Sequence, residues 1–310
     1  MEGLSRRMDQ GLVRIIVNPI SGRGRDPRLV SELRRHLALR GFTVTVSETS
    51  APGDARGLAR DAPDETRCLI SIGGDGTHRE VLSGLIGRPV PACISPSGTE
   101  NVLGRTLGLV GTLQEVVNTV QNGRTIDLDI GMAGSKPFVM FSGVGFDAAV
   151  TREVHRKRHG HILRSAYYSV ILRMLWRYRF PSMQVTVDGR LLTDDAGMLF
   201  VANTPLYADR LRPAPLALGD DGLLDVVCFR ARDRWAMLKH FVRTRLGRHL
   251  GHPLVAYARG TRVEVTCPEA ALPVQVDGDA VGTTPLVYTI VPRAVRLLVP
   301  PRGTGFRRKP

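Results

Sequence analysis

Residues 71–80 read Ser-Ile-Gly-Gly-Asp-Gly-Thr-His-Arg-Glu, with three glycines, Gly73, Gly74 and Gly76, set around the single carboxylate of Asp75. Glycine accepts positive φ and lets backbone N–H groups come close to a ligand, which is what a phosphate requires. Thr77 and Glu80 have the T-x-x-E spacing of a capping box, which predicts a helix carrying Val81, Leu82 and Leu85. The free N–H groups and positive dipole end of that helix would face back to the glycine turn. The apolar residues 69–72 in front of the turn read as a buried strand. The plainer alternative is a tight βα turn with an incidental Asp. The glycines and the cap together favour an anion site with one acid placed in it.

Two more small-residue turns follow predicted strands. Residues 14–17 run into Asn18-Pro19-Ile20-Ser21-Gly22-Arg23-Gly24, and residues 92–94 run into Ser95-Pro96-Ser97-Gly98-Thr99-Glu100-Asn101. Neither completes GxxxxGK[ST] or GxGxxG, so the P-loop and the dinucleotide fingerprint do not apply. Asp26 and Pro27 announce a helix with Leu29, Leu33 and Leu37 on its apolar face. Further helices are expected over residues 54–60, through Leu103 and Leu107, and over 113–120, with another strand at 42–46 leading to Thr49. This alternation implies a doubly wound parallel α/β sheet, whose ligands bind beyond the carboxyl ends of the strands. All three turns fall at such ends.

From about residue 136 the period changes. Short runs at 138–141, 183–187, 198–202, 224–229, 262–266, 274–276 and 286–291 suggest an antiparallel β-sandwich, interrupted by helices near 160–178 and 232–248. The expected organisation is an α/β domain over 1–133, rejoined by 292–310, and a sandwich domain over 134–291.

The chain has 310 residues, 43 % of them hydrophobic, and a formal net charge of +14. That charge points to an anionic partner, although an arginine-rich composition weakens the inference. Cys68, Cys93, Cys228 and Cys267 show neither CxxC nor a nearby His, which suits reduced core thiols. No apolar run has the length of a bilayer span, and residues 1–14 lack the apolar core of a signal peptide. A cytoplasmic protein with transient membrane association is the expectation.

Taken in order, NPxSG (18–22), GGDGT (73–77), PSGTEN (96–101), DxG (129–131), GFD (145–147), DDGLLD (220–225) and DGD (277–279) resemble the diacylglycerol kinase catalytic-domain family, which includes sphingosine and ceramide kinases. GGDGT alone is shared with NAD kinases; the ordered set is specific. The resemblance spans about residues 13–300. It implies ATP in a cleft between an α/β domain and a β-sandwich, and Mg²⁺-dependent transfer of the γ-phosphate to a lipid hydroxyl. On that resemblance Asn18, Ser21, Gly22, Thr49, Gly73, Gly74, Gly76, Thr77, Gly98 and Thr99 line the nucleotide. Asp75, Asp129, Asp277 and Asp279 form an acidic network, with Asp75 or Asp277 as the base and Asp277 slightly favoured. Asp147 and Asn203 lie at the acceptor, and Asp221 with the carbonyls of Leu218 and Leu223 matches a structural Mg²⁺ site.

Diacylglycerol is the foremost acceptor, with a sphingoid base or ceramide as the alternative. A non-catalytic nucleotide- or nucleic-acid-binding protein is the rival of another class. No nucleic-acid motif is found, and acids at the site would repel a phosphate backbone. The oligomeric state stays open, a homodimer included. Departures from the family pattern are Arg79 where Asn is common, Asp279 where Glu is usual, and the altered stretch Thr204-Pro205-Leu206-Tyr207 after Asn203. Residues 152–180 interleave arginines with Tyr167, Tyr168, Trp176 and Tyr178. This composition suits an anionic bilayer surface, the plainer alternative being a solvated helix packed on the sandwich.

Overall fold

The structure, a computed structural model, describes residues 10–21, 27–156, 164–208, 211–301 and 306. Two compact units emerge: Met1–Leu128 with Arg293–Pro310, and Asp129–Pro292.

In the first unit the elements are β1 (Leu12–Val17), α1 (Pro27–Ala38), β2 (Thr43–Glu48), α2 (Asp54–Arg60), β3 (Cys68–Gly73), α3 (Asp75–Gly84), β4 (Ala92–Pro96), α4 (Val102–Leu107) and α5 (Leu113–Asn122). β1 pairs in parallel with β2 and β3, and β3 with β4. Beyond β4 the chain's last strand adds Leu297 in parallel opposite Ala92. β3 and β4 are buried along their whole length, as near-continuous apolar runs in a parallel sheet require. Edge strand β2 leaves four of its six residues exposed. Val13, Ile15, Ile70, Ile72 and Cys93 meet Leu33 and Leu37 of α1 and Val116, Val117 and Val120 of α5 in one core.

The chain passes into the second unit within β5 (Arg124–Ala133). It continues through β6 (Lys136–Phe138), β7 (Phe141–Gly145), α6 (Phe146–Arg156), α7 (Arg164–Arg177), β8 (Met183–Val187), β9 (Arg190–Ala196), β10 (Met198–Ala202) and β11 (Leu224–Phe229). Then follow α8 (Arg234–Arg245), β12 (Val255–Gly260), β13 (Arg262–Thr266), β14 (Pro273–Val276), β15 (Asp279–Thr283) and β16 (Leu286–Val299), which returns to the first unit. One antiparallel sheet of this unit runs β12-β11-β10-β7-β14-β15; the other pairs β16, β13, β8 and β9. Their inner faces share a core that includes Phe138, Val144, Val185, Leu199, Val226, Val265 and Tyr288. α6, α7 and α8 turn Val150, Val154, Val170 and Met237 into a second core with Phe146 and Phe180.

Two sequence expectations change. Residues 138–141 do not form one strand: β6 ends at Phe138 and β7 begins at Phe141. The backbone between them turns its N–H groups to a side chain instead of a strand partner. The helix after the glycine turn begins at Asp75, earlier than a capping box at Thr77 would place it, with Gly74 as N-cap and no side-chain cap. Glu80 instead accepts the N–H of Gly53 at 2.9 Å, and Thr77 is buried.

Candidate functional site

In the first unit three turns lock together at the ends of β1, β3 and β4. Asn18 donates its backbone N–H to Ile72 O at 3.0 Å and its side-chain amide to Thr77 Oγ1 at 3.2 Å, while its Oδ1 accepts Ile20 N–H at 3.1 Å. Ser21 N–H closes the same turn on Asn18 O at 3.1 Å, and Thr49 N–H reaches Val17 O at 3.0 Å. Ser97 N–H binds Gly73 O at 2.8 Å. Asn101, in the left-handed region at φ 48°, accepts Gly98 N–H at 2.7 Å and donates to Gly98 O at 2.9 Å. A Cβ on Gly98 would stand 2.7 Å from the Cα of Gly74, closer than packed atoms come, so the two turns touch because residue 98 is glycine. A Cβ on Gly73 would strike Thr77 at 2.5 Å.

Asp75 stands at the start of α3, and its carboxylate caps a neighbouring helix. Oδ2 accepts Val102 N–H at 3.0 Å and Oδ1 accepts Leu103 N–H at 3.1 Å, the first two residues of α4. Burial pushes its carboxyl above the ordinary carboxylate range, only partly offset by those two N–H groups. The N-terminus of α3 itself has no side-chain cap, and Gly76 there is exposed with open space where a Cβ would stand. An anion can approach it. Below, buried His78 pairs through Nδ1 with Ser71 Oγ at 2.8 Å, and burial lowers its imidazole to about 3. Thr99 is exposed on its turn, and Gly22 lies outside the described residues. Sequence reading missed Asn101 as the residue that shapes the third turn; its place at the end of PSGTEN was the available signal.

In the second unit Asp277 and Asp129 belong to one network. Asp277, at φ 46°, accepts Val139 N–H (2.7 Å), Met140 N–H (2.9 Å) and Phe141 N–H (3.0 Å), the backbone that sequence reading had made a strand. Asn203, fully buried, donates to the carbonyls of Asp129 and Val139, both at 2.8 Å. Asp129 is 1 % exposed and its Oδ2 accepts Gly222 N–H at 2.6 Å. Asp147, in the first turn of α6, accepts Tyr207 O–H at 2.5 Å and Gln275 Nε2–H at 2.8 Å; burial raises its carboxyl. Gln275 in turn accepts Gly278 N–H at 2.8 Å, next to Asp277. Asp279 is half exposed, 3.8 Å from His155 Nε2. Gln275 and Tyr207 were not legible as site residues, because their role is to hold a carboxylate far away in sequence.

Asp221 does not fit a cation site as arranged here. Its Oδ2 pairs with the guanidinium of Arg259 on β12, and its Oδ1 accepts Leu223 N–H at 3.1 Å. Arg259 also lies 3.5 Å from Oδ2 of Asp225, whose other oxygen takes the Tyr257 hydroxyl at 2.5 Å. Arg259 thus supplies the positive charge that Mg²⁺ would bring, and among the described residues no three His, Cys, Asp or Glu side chains converge as metal ligands. Nothing in the local motif signalled this, since Arg259 lies on a strand that sequence reading did not identify.

Comparison with known proteins matches residues 12–133 to the diacylglycerol kinase catalytic domain and residues 141–299 to the YegS C-terminal NAD kinase beta sandwich-like domain. A diacylglycerol kinase of Mycobacterium tuberculosis is 30 % identical over 309 residues, covering 97 % of this chain and 99 % of its own length. One from Bacillus subtilis is 27 % identical, covering 93 % and 96 %. A solved diacylglycerol kinase from Bacillus anthracis aligns over 93 % of this chain and 97 % of its own at 20 % identity, with TM-score 0.69, and a second solved chain from that organism reaches 0.76. These structures share the fold: an α/β sheet with helices followed by antiparallel sheets. The chain belongs to the diacylglycerol kinase family.

Proposed function

We propose that the chain is an ATP-dependent lipid kinase that transfers the γ-phosphate to a lipid hydroxyl, with diacylglycerol the foremost acceptor and phosphatidic acid the product. The observation that carries this reading is the side-chain-uncapped N-terminus of α3, rising from glycines in contact with the turn at Gly98. Phosphoryl transfer needs oriented donors and charge neutralisation more than covalent chemistry. The N–H groups of Gly76 and Thr77 and the side chains of Asn18, Ser21 and Thr99 are assigned to the nucleotide.

Mg²⁺ arriving with ATP would supply positive charge against the phosphates and would need few protein ligands. Asp75, a carboxylate under-compensated for its burial, fits such a cation and is the residue assigned to it. In this reading Asp277 keeps residues 139–141 in the conformation the acceptor site needs, and Asp147 and Asn203 belong to that same site. The proton of the acceptor hydroxyl falls to Asp277 where Asp75 holds the cation, and to Asp75 only where it does not.

The test is transfer from γ-labelled ATP with Mg²⁺ to micellar diacylglycerol, ceramide and a sphingoid base. Label in diacylglycerol foremost is expected. Label in no lipid overturns the kinase reading, and label only in the sphingoid base or ceramide overturns the acceptor.

A further inference from the structure

One face of the second unit's sheet has a carboxylate set into it. Alternation along β7 turns Val144 into the sandwich core, so Phe141 and Gly143 face the other way. Gly143 stands in register between Gln275 of β14 and Phe200 of β10. Its missing side chain leaves a hollow in that row, and the Asp147 carboxylate, from the first turn of α6, fills it. A Cβ on Gly143 would collide with Asp147 Oδ2 and stand 2.8 Å from Gln275 Nε2.

Each oxygen of that carboxylate takes one neutral donor. Oδ1 accepts the Tyr207 hydroxyl at 2.5 Å and Oδ2 accepts Gln275 Nε2–H at 2.8 Å. Asp147 is 8 % exposed and Gln275 is fully buried. Among the described residues no Lys, Arg or His supplies a counter-charge; burial raises the carboxyl, and the two donors draw it back towards the ionised form. A buried carboxylate without a cation is half of an ion pair, and a cationic ligand reaching it would complete the pair. Tyr207 stands in the way. Its ring lies 4.5 Å from that of Phe141 and 5.3 Å from that of Phe200, and its N–H binds Leu211 O at 2.8 Å. The hydroxyl is therefore carried to Asp147 by packing on the same sheet face. Tyr207 also ends the stretch Thr204-Pro205-Leu206-Tyr207, where the chain departs from the family pattern.

We propose that Tyr207 sets the acceptor class: its hydroxyl covers Asp147, withholds that carboxylate from the ammonium of an amino alcohol, and so reserves the site for an uncharged lipid alcohol such as a diacylglycerol. This deepens the lipid-kinase reading and rests on it for placing Asp147 at the acceptor, while the binding measurement below needs no turnover. The discrimination is one of desolvation. An ammonium entering a buried site must find an open acceptor or lose its hydration uncompensated, whereas a neutral hydroxyl does not need the carboxylate.

Tyr207→Phe keeps the ring and removes the hydroxyl, leaving Asp147 Oδ1 short of its donor. The experiment measures kcat/KM with labelled ATP for diacylglycerol and for a sphingoid base in the same detergent micelles. The wild type should prefer diacylglycerol, and in Tyr207→Phe the ratio should move towards the sphingoid base by about tenfold or more, the size of one hydrogen bond to a charged group. Adding Asp147→Asn to Tyr207→Phe should cancel the gain, since the attraction resides in the carboxylate. Calorimetry without nucleotide gives the second readout. Tyr207→Phe should bind octylamine about tenfold more tightly than the wild type, with octanol bound alike by both.

Several results would overturn the proposal: a wild type that prefers the sphingoid base, an acceptor ratio and octylamine affinity unmoved by Tyr207→Phe, or a gain that survives Asp147→Asn. An equal gain for octanol and octylamine would also overturn it, as the mark of a loosened loop. If the wild type phosphorylates no lipid, the kinase reading falls, and tighter octylamine binding by Tyr207→Phe still upholds the covered carboxylate.

Discussion

The carboxylates expected to do chemistry are also structural, and substitution will read both roles at once. Asp277 holds three consecutive backbone N–H groups. Asp277→Asn turns an amide NH₂ towards at least one of those donors. It should lower unfolding free energy by about 1–3 kcal/mol, the cost of an unpaired buried donor, besides abolishing transfer. Urea denaturation checks the first effect and the labelled-ATP assay the second. Asp75→Asn should likewise abolish transfer, and if Asp75 is the base, the acid limb of kcat/KM for the wild type lies above 3.8, because burial raises its carboxyl from that value. A limb below that would return the role to Asp277. His78 gives a stability signature of its own. Its imidazole is lowered from 6.5 to about 3 in the folded state, so the unfolded chain binds the extra proton between those values. Its share of stability is complete above 6.5 and lost as pH falls towards 3, at about 1.4 kcal/mol per pH unit once well below 6.5. The urea midpoint should fall accordingly from pH 7 to 5, and less steeply in His78→Gln.

At the scale of elements, the first unit's site depends on turns that touch, more than on any one motif. Gly98→Ala forces a Cβ to 2.7 Å from the Gly74 backbone, so the ends of β3 and β4 must separate. Nucleotide affinity should drop about tenfold or more, since a misplacement of this size spoils oriented donors, and titration calorimetry would measure it. An unchanged affinity would show that the two turns do not act together on the ligand. In the second unit, Arg259 on β12 neutralises Asp221 and Asp225. Arg259→Met should cost about 2 kcal/mol by leaving carboxylates uncompensated, and the wild-type melting temperature should be indifferent to EDTA. A wild type that melts lower in EDTA would restore a metal to that turn.

At the scale of the molecule, the second unit is one uninterrupted stretch, Asp129–Pro292, while the first needs both ends of the chain. All the buried members of the sandwich core, from Ala133 to Tyr288, lie within that stretch. A fragment of residues 129–292 should therefore unfold cooperatively by circular dichroism, whereas residues 1–128 lack the strand residue Leu297 that pairs with Ala92. No helix among the described residues is long and apolar enough to cross a membrane.

How much of this was legible follows from the range of the forces involved. The doubly wound half was readable because its signals are local: apolar runs such as residues 69–72 become buried strands wherever they are placed, and glycines mark turns by their own backbone freedom. The ordered motifs carried the family for the same reason. Helix α3 was foreseen but its cap was not, because Glu80 found Gly53, 27 residues away, rather than its own helix end. Strands β9, β12 and β15 escaped notice: Arg190–Ala196 and Asp279–Thr283 mix polar with apolar residues and leave three residues each exposed, and only their partners make them strands. The same holds for the acids. Their types and spacing stand in the chain, but that Asp75 caps α4, that Asp277 gathers residues 139–141 and that Arg259 answers Asp221 are facts of tertiary structure. Hydrogen bonds and ion pairs are short-ranged, and only the folded backbone brings residues 27 to 138 positions apart within their reach.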